Sequence, residues 1–363
     1  MPLTPHEFPG EHSPMTRTDL KRLDPSGMYD WIRNFPDQIE DAVRIGTNVP
    51  LTVRISGVRN IVITGLGGSA IGGDVLRSYL ANDLALPVFI NRHYRLPEFV
   101  DTKSLVIVSS YSGNTEETIA AHADAVKRKA RVLCITTNGE TMKMAKKFKH
   151  PVIEIPQGLP PRAALGYSFF PLLIAFSRLR LVKHKTREIA ETVKLLRREA
   201  SVLSNPQSPD NTALRLARTL QGKLPILYAP AEHLDAVAVR WRGQLSENAK
   251  QLAFGHFLPE MNHNELVGWK HPRQLLKQMH VIFLRDAGTH KRIALRETIT
   301  KRIVSLSAGG VTELWSKGTS LLARMFSLIH LGDWTSFYLA LLNNEDPTPV
   351  RVIDEIKQEL GKV

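Results

Sequence analysis

Two segments of the chain carry the residue types that grip a phosphate. The first runs Ile61-Val-Ile-Thr-Gly-Leu-Gly-Gly-Ser-Ala-Ile-Gly-Gly-Asp74, an apolar strand pattern that passes through a glycine-rich turn into a helix pattern with Val75, Leu76 and Tyr79. Glycines such as Gly67 and Gly68 let a backbone approach a ligand closely, and the first amides of a helix point at an anion. Ser69 adds a hydroxyl donor. The second segment is Val108-Ser-Ser-Tyr-Ser-Gly-Asn-Thr-Glu-Glu-Thr118. Here Ser110, Ser112 and Thr115 place three hydroxyls close together, with Gly113 to relax the backbone. Asn114 and Glu117 have the spacing of a capping box, which predicts a helix start. Converging donors at a helix N-terminus are what a phosphate requires. Alone, Ser-Gly-Asn-Thr is also readable as a polar loop with a cap; its place one strand–helix unit after the glycine loop makes the pair a phosphate signal. The first segment also fits the dinucleotide fingerprint through Gly65, Gly67 and Ala70. That reading needs an acidic residue at the end of the next strand, where Ile90-Asn91-Arg92 has none.

The elements that must position these loops alternate. Asn60–Thr64, Leu86–Ile90, Ser104–Ser109 and Arg131–Ile135 are short β-branched runs, each followed by turn residues and then a helical period. Apolar strands of this length between helices predict a parallel sheet covered on both faces. Ahead of them, Asp24-Pro-Ser opens a helical period through Met28, Trp31, Ile32, Phe35, Ile39 and Val43, with a kink or break expected at Pro36. A helical stretch over Ala163–Val202 leads to Leu203-Ser-Asn-Pro-Gln-Ser-Pro-Asp210, a linker candidate. The rhythm then recurs, with strands expected at Leu224–Tyr228, Met279–Leu284 and Ile303–Leu306 and helices at Ala236–Leu252 and Leu321–Leu342.

Taken in order, Gly67-Gly68-Ser69, Ser110-Tyr-Ser-Gly-Asn-Thr115, Pro161-Arg-Ala-Ala-Leu-Gly-Tyr-Ser168, Glu247-Asn-Ala-Lys250, Pro259-Glu-Met-Asn-His-Asn-Glu265 and Asp346-Pro-Thr-Pro-Val350 resemble the bifunctional phosphoglucose/phosphomannose isomerases. The resemblance runs from about residue 60 to the C-terminus. It implies an α/β protein of two flavodoxin-like sugar isomerase (SIS) domains, parallel sheets flanked by helices, over 26–205 and 206–363, after a loose N-terminal extension at 1–25. It implies aldose–ketose isomerisation of glucose 6-phosphate and mannose 6-phosphate with fructose 6-phosphate. That reaction needs a base to move a proton between C1 and C2, a cation beside the developing oxyanion, and groups that open the sugar ring. The resemblance gives the first task to Glu247, the second to Arg162, and ring opening to His263 and Lys357. It further implies a homodimer in which His263 reaches the neighbouring subunit's site. Gly67, Gly68, Ser69, Ser110, Ser112 and Thr115 would hold the phosphate. Apart from the resemblance these residues read more plainly: Glu247 as a surface glutamate, His263 as structural, Arg162 as part of a helix start, Lys357 as a solvated lysine on a terminal amphipathic helix with Ile353, Ile356 and Leu360. The stretch before Asp24 has no counterpart in the resemblance, and the loop Gly255–Leu258 carries an unassigned His256.

Composition narrows the rest. Forty-eight Lys and Arg against 35 Asp and Glu give a formal charge of +13, with no block of like charges. Such an excess attracts anions without choosing among them; it is read as solvated surface, with neither nucleic acid nor membrane as partner. A single cysteine, Cys134, within an apolar run cannot form an intrachain disulfide and is expected on a buried strand. No His-Glu-x-x-His and no cysteine pair occur, so a metal site would have to be assembled from scattered ligands; none is expected, and no cofactor. Without an apolar run of spanning length or a signal-peptide pattern, the cytoplasm is expected. A non-catalytic phosphosugar-binding regulator would need a DNA-reading module, and an amidotransferase an N-terminal nucleophilic cysteine. Neither pattern is present.

Overall fold

The computed structural model describes residues 22–362. The extension expected over 1–25 therefore lies, up to residue 21, outside the described residues. Among the described residues, nine strands form two all-parallel sheets. The first contains β1 (Asn60–Thr64), β2 (Val88–Asn91), β3 (Ser104–Ser110), β4 (Arg131–Thr136) and β5 (Val152–Glu154), in the order β2-β1-β3-β4-β5. The second contains β6 (Leu224–Pro230), β7 (Phe254–Leu258), β8 (Met279–Arg285) and β9 (Gly310–Trp315), in the order β7-β6-β8-β9. Counted from its own first strand, the second sheet repeats the order of the first with one strand fewer. The 2-1-3-4-5 order is the flavodoxin-like one, in which ligands bind beyond the carboxyl ends of the strands where the order reverses. In the first sheet that point lies between β1 and β3, the two strands that run into the glycine and hydroxyl loops.

The helices are α1 (Met28–Arg33), α2 (Phe35–Asn48), α3 (Gly67–Tyr79), α4 (Glu116–Lys127), α5 (Gly139–Phe148), α6 (Leu165–Arg178), α7 (Thr186–Leu203), α8 (Thr212–Leu220), α9 (Asp235–Ala249), α10 (Arg273–Leu276), α11 (Lys291–Val304), α12 (Leu321–Leu342) and α13 (Arg351–Leu360). Asp24 starts the first of them by accepting the backbone N–H groups of Met28 and Tyr29, both at 2.8 Å. One apolar core joins both sheets. Its centre is α12, which is largely apolar around its whole circumference and buried almost throughout, with the buried Asp333 paired to Arg240. Phe326 of α12 stacks on Phe35 and meets Phe169 and Phe170 edge-on or tilted. A smaller cluster with Val62, Val106, Val108, Ala121 and Cys134 fills the other face of the first sheet. Cys134 is thus the buried strand residue expected of it.

Several local expectations are corrected. Ile303–Leu306 is not a strand: Leu295, Ile299 and Ile303 repeat at helical spacing, and α11 runs to Val304. The last strand is β9, which is half-buried along its length and mixes Gly310, Thr312 and Glu313 with apolar residues, so no β-branched run marks it. The supposed loop Gly255–Leu258 is strand β7. Gly255 hides it, because a side chain there would meet the Leu227 carbonyl oxygen at 2.2 Å. The stretch Ala163–Val202 is two helices, α6 and α7, parted at Leu179–Lys185, where Arg180 adopts φ 59°. Asn114 does not cap α4. Thr115 takes the N-cap position, and the Asn114 carboxamide oxygen instead accepts the Glu140 N–H at 3.0 Å.

Burial lowers the basicity of four histidines, His122, His150, His280 and His330, the first to about 4 from an ordinary 6.5. Their folded-state values lie below the unfolded ones, so the unfolded chain takes up protons first and stability falls as pH drops below about 6.5. His122 alone accounts for about 3 kcal/mol, fully lost once the pH has passed through about 4. Burial also raises Glu297 to about 7, which slopes the other way between its ordinary 4.5 and 7. His122 and Glu297 roughly offset one another, and the lowered His150, His280 and His330 set the net sign. The melting temperature is therefore expected to fall steadily from pH 7 to pH 5, and a flat profile across that range would contradict the account.

Candidate active site

The glycine loop and the hydroxyl loop are stitched to one another. A Cβ on Gly65 would lie 2.6 Å from the Ser109 carbonyl oxygen, so β1 and β3 can leave the sheet side by side only with glycine there. Ser109 Oγ donates to the Ser69 carbonyl at 3.2 Å, and the Tyr111 N–H donates to Ser69 Oγ at 2.9 Å. The Ser69 hydroxyl accepts in that bond and keeps its proton for a ligand. Ser110 Oγ donates to Thr115 Oγ1 at 3.2 Å, and Ser112 Oγ accepts the Asn114 N–H at 3.2 Å. Gly113, at φ 72°, sits where a side chain would run into the Asn138 carbonyl. Ser69 and Ser110 are buried, while Gly67 and Ser112 are exposed. The first turns of α3 and α4 thus open onto one space at the switch point, with free amides and hydroxyls facing it.

Two links carry this space to the second half of the chain. Tyr111 donates its hydroxyl to the Pro156 carbonyl and accepts the Leu159 N–H, which anchors the segment leading to Pro160 and Pro161. Gly68 packs directly on that segment, since a Cβ on it would meet the Pro161 carbonyl carbon and oxygen at 2.6 Å and the Arg162 nitrogen at 2.9 Å. The other link is helix against helix. At the C-terminal end of α3, Arg77 pairs at 2.5 Å with Asp235 in the first turn of α9. At the other end, Gly68 of α3 abuts the turn of Arg162, whose guanidinium reaches Glu247 and Asn248 at the end of α9, so the two helices run antiparallel.

Arg162 is the hub between them, its side chain 4% exposed. Its Nε donates to Asn248 Oδ1 at 2.6 Å, Nη2 donates to the carbonyls of Pro347 and Thr348 at 2.7 and 2.6 Å, and Nη1 lies 3.4 Å from Glu247 Oε2. Burial lowers the guanidinium's pKa and the Glu247 carboxylate pushes it back up. Glu247 is half-buried, its carboxylate at the mouth of the site. Lys250, left-handed at the end of α9, caps the helix by donating to the carbonyls of Glu247 and Asp346. Beneath, Arg240 donates to the Arg162 carbonyl at 3.1 Å and is itself held by Asp333 at 2.8 Å.

The fold therefore brings Glu247 and Arg162 together and sets the turn that carries Arg162 against the glycine loop. No hydrogen bond or ion pair among the described residues joins His263 or Lys357 to them. His263 is exposed at the end of a 3-10 turn, Glu260–His263. Lys357 stands on α13, which is exposed throughout and begins just beyond the turn that Arg162 grips at Thr348. Sequence reasoning assigns no role to Asn248, Arg240 or Asp333. Asn248 stands inside the quoted Glu-Asn-Ala-Lys motif, which is a usable signal; the Arg240–Asp333 pair bridges 93 residues with no local mark. At the matching switch point of the second sheet there is no hydroxyl loop among the described residues. At the carboxyl end of β8 the polar groups are ion-paired, Arg285 with Glu297 and Glu313 on the β9 side, and Asp286 with Arg324.

The SIS domain family matches residues 54–156, and the bacterial phospho-glucose isomerase C-terminal SIS domain matches residues 209–360. Bifunctional phosphoglucose/phosphomannose isomerase of Caldicellulosiruptor bescii is 46% identical over 93% of this chain and 99% of its own. The Aquifex aeolicus protein of the same name is 38% identical over 84% and 91%. D-glucosamine-6-phosphate 4-epimerase of Sulfolobus acidocaldarius is 30% identical over 66% and 71%. Among solved structures, a hypothetical protein of Thermus thermophilus superposes with a TM-score of 0.68 at 18% identity, covering 95% of this chain and 92% of that one, which shows the shared fold.

Proposed function

Because the chain belongs to the family of bifunctional phosphoglucose/phosphomannose isomerases, we propose that the space at the first switch point is where it isomerises glucose 6-phosphate and mannose 6-phosphate to fructose 6-phosphate. The observation that supports the reading is that the turn carrying Arg162 abuts Gly68 of the glycine loop, while Glu247 lies 3.4 Å from the Arg162 guanidinium. The phosphate rests on that loop and on Ser110, Ser112 and Thr115. His263 and Lys357 open the ring. Glu247 takes the proton from C2 of the open-chain aldose and returns it to C1, while a proton passes from O2 to O1. The buried guanidinium of Arg162 stabilises the enediolate oxygen in between. At the enediol, C2 is trigonal and carries no configuration, so glucose and mannose phosphates share that intermediate. No step calls for a metal or a cofactor. The division into 26–205 and 206–363, and a cytoplasmic setting, belong to the same reading; no helix among the described residues is long and apolar enough to cross a membrane.

His263 acts from a second copy of the chain. Its neighbour Asn262 donates to Thr300 of α11 at 2.7 Å, and the same helix presents Leu295, Ile299 and Ile303 to solvent in one stripe. Such a stripe is what a subunit interface buries. Mixing inactive Glu247→Gln with inactive His263→Ala should then restore activity. Random pairing gives half mixed dimers, each with one intact site, or about a quarter of the wild-type rate. No recovery would show that both residues serve one site within a chain.

Two simpler tests bear on the reaction. Each aldose phosphate, incubated alone, should yield fructose 6-phosphate; a 4-epimer as product, or none, would overturn the assignment. Gly68→Ala should lower kcat/KM by about 10²-fold through displacement of the Arg162 turn, with an unchanged circular dichroism spectrum. Wild-type kinetics in that variant would separate the loop from the chemistry.

A further inference from the structure

The smaller core on the outer face of the first sheet holds a cluster that the isomerase chemistry does not use. His122 of α4, Cys134 of β4 and His150 just past α5 point their ligand atoms at one another, all within 4.8 Å. His122 Nε2 lies 3.0 Å from His150 Nδ1 and 3.9 Å from Cys134 Sγ. His122 and Cys134 are wholly buried and His150 is partly exposed, which leaves a way in from solvent. Three residues from three elements, spread over 29 positions of sequence, are the scattered ligands that no linear motif reveals.

We propose that His122, Cys134 and His150 bind a single thiophilic transition-metal ion, zinc(II) in the first instance. With Zn–N near 2.0–2.1 Å and Zn–S near 2.3 Å, tetrahedral ligands stand roughly 3.3–3.6 Å apart, and the two separations found here bracket that range. Small shifts suffice: a widened imidazole pair and a thiol drawn in. Burial holds both imidazoles neutral at pH 7, the form that ligates. It also pushes the thiol up to about 12, so the ion must displace that proton. The step is Zn²⁺ plus Cys–SH giving a zinc thiolate and one proton, released past His150, with water in the fourth position. His122 Nδ1 finds no partner among the described residues, so the polar contacts of this ring are those to Cys134 and His150.

The position gives such an ion a mechanical role. His122 stands on the helix that begins at Thr115, and His150 follows the helix that begins at Gly139, whose backbone abuts Gly113. Metal at the far side would clamp the two helices whose first turns shape the hydroxyl loop.

The test uses full-length protein stripped with chelator and titrated with zinc(II) and, separately, cobalt(II). One ion per chain is expected, with a thiolate-to-cobalt charge-transfer absorption and a melting temperature that rises with metal concentration. Cys134→Ser should abolish the absorption, and His150→Ala should weaken binding by more than about tenfold. Because Cys134 is in the core and its variant can fail to fold, His150→Ala, at a partly exposed position, decides on its own if that happens. Absence of a thiolate band in the wild type, or zinc affinity unchanged in folded His150→Ala, would overturn the proposal. Isomerase activity is read alongside as a report on that clamping; metal binding is decided by the absorption and affinity alone.

Discussion

Glu247→Gln is expected to lower kcat with either aldose phosphate by about 10²–10⁴-fold, the usual worth of a positioned general base. The substitution keeps the shape of the side chain and an oxygen for Arg162, which lies 3.4 Å away. It removes the capacity to take up a proton, together with the negative charge beside the Arg162 guanidinium. Glu247 is half-exposed and carries no core contact of note, so thermal stability should be close to that of the wild type. Fructose 6-phosphate should bind as before, because its phosphate is held by the loops after β1 and β3. Steady-state rates with binding calorimetry check the separation. Turnover near the wild-type level would move the base to another residue.

Arg162→Lys should cost both rate and stability. It keeps the charge but not the planar fork, and the fork is what Asn248, Pro347 and Thr348 are arranged around. A lysine satisfies one or two of those buried acceptors and leaves the remainder without a donor. At about 1–3 kcal/mol for each abandoned group, a stability loss of about 2–4 kcal/mol is expected. A misplaced cation beside the enediolate should lower kcat by about 10²–10³-fold, by analogy with loss of an oxyanion donor. Thermal unfolding and kinetics together decide the role. Reduced stability with an unchanged kcat would make Arg162 a structural strut alone.

How much of this is legible in the sequence follows from where the information resides. β1, β3 and β4 are β-branched runs buried on both faces, and such strands announce themselves. The loops after β1 and β3 are readable for the same reason, since glycines and clustered hydroxyls at a strand end have few other uses. Edge strands other than β2 are not. β7 is paired on one side only and contains Gly255 and His256, while β9 is half-buried and mixed in composition. Their burial pattern is set by neighbours far along the chain. The same holds for the hub of the site. Nothing near Arg162 in sequence foretells that its guanidinium is enclosed by carbonyls 185 and 186 positions away, or that Arg240 and Asp333 brace its backbone. The resemblance to a family supplies the roles of Glu247 and Arg162; the fold supplies the reason they meet, which is the antiparallel packing of α3 on α9. Likewise, Cys134 reads as a buried strand residue, and only the folded sheet reveals the two histidines beside it.

Isomerisation at this site requires the phosphate on the loops and the C1–C2 edge of the sugar facing residue 247, an arrangement visible in a crystal structure of the Glu247→Gln variant with fructose 6-phosphate. The phosphate is expected against Ser69, Ser110, Ser112 and Thr115, Arg162 beside O1 or O2, and the side chain at 247 within about 3–3.5 Å of C1 or C2. A phosphate bound elsewhere, or a C1–C2 edge turned away from residue 247, would contradict it.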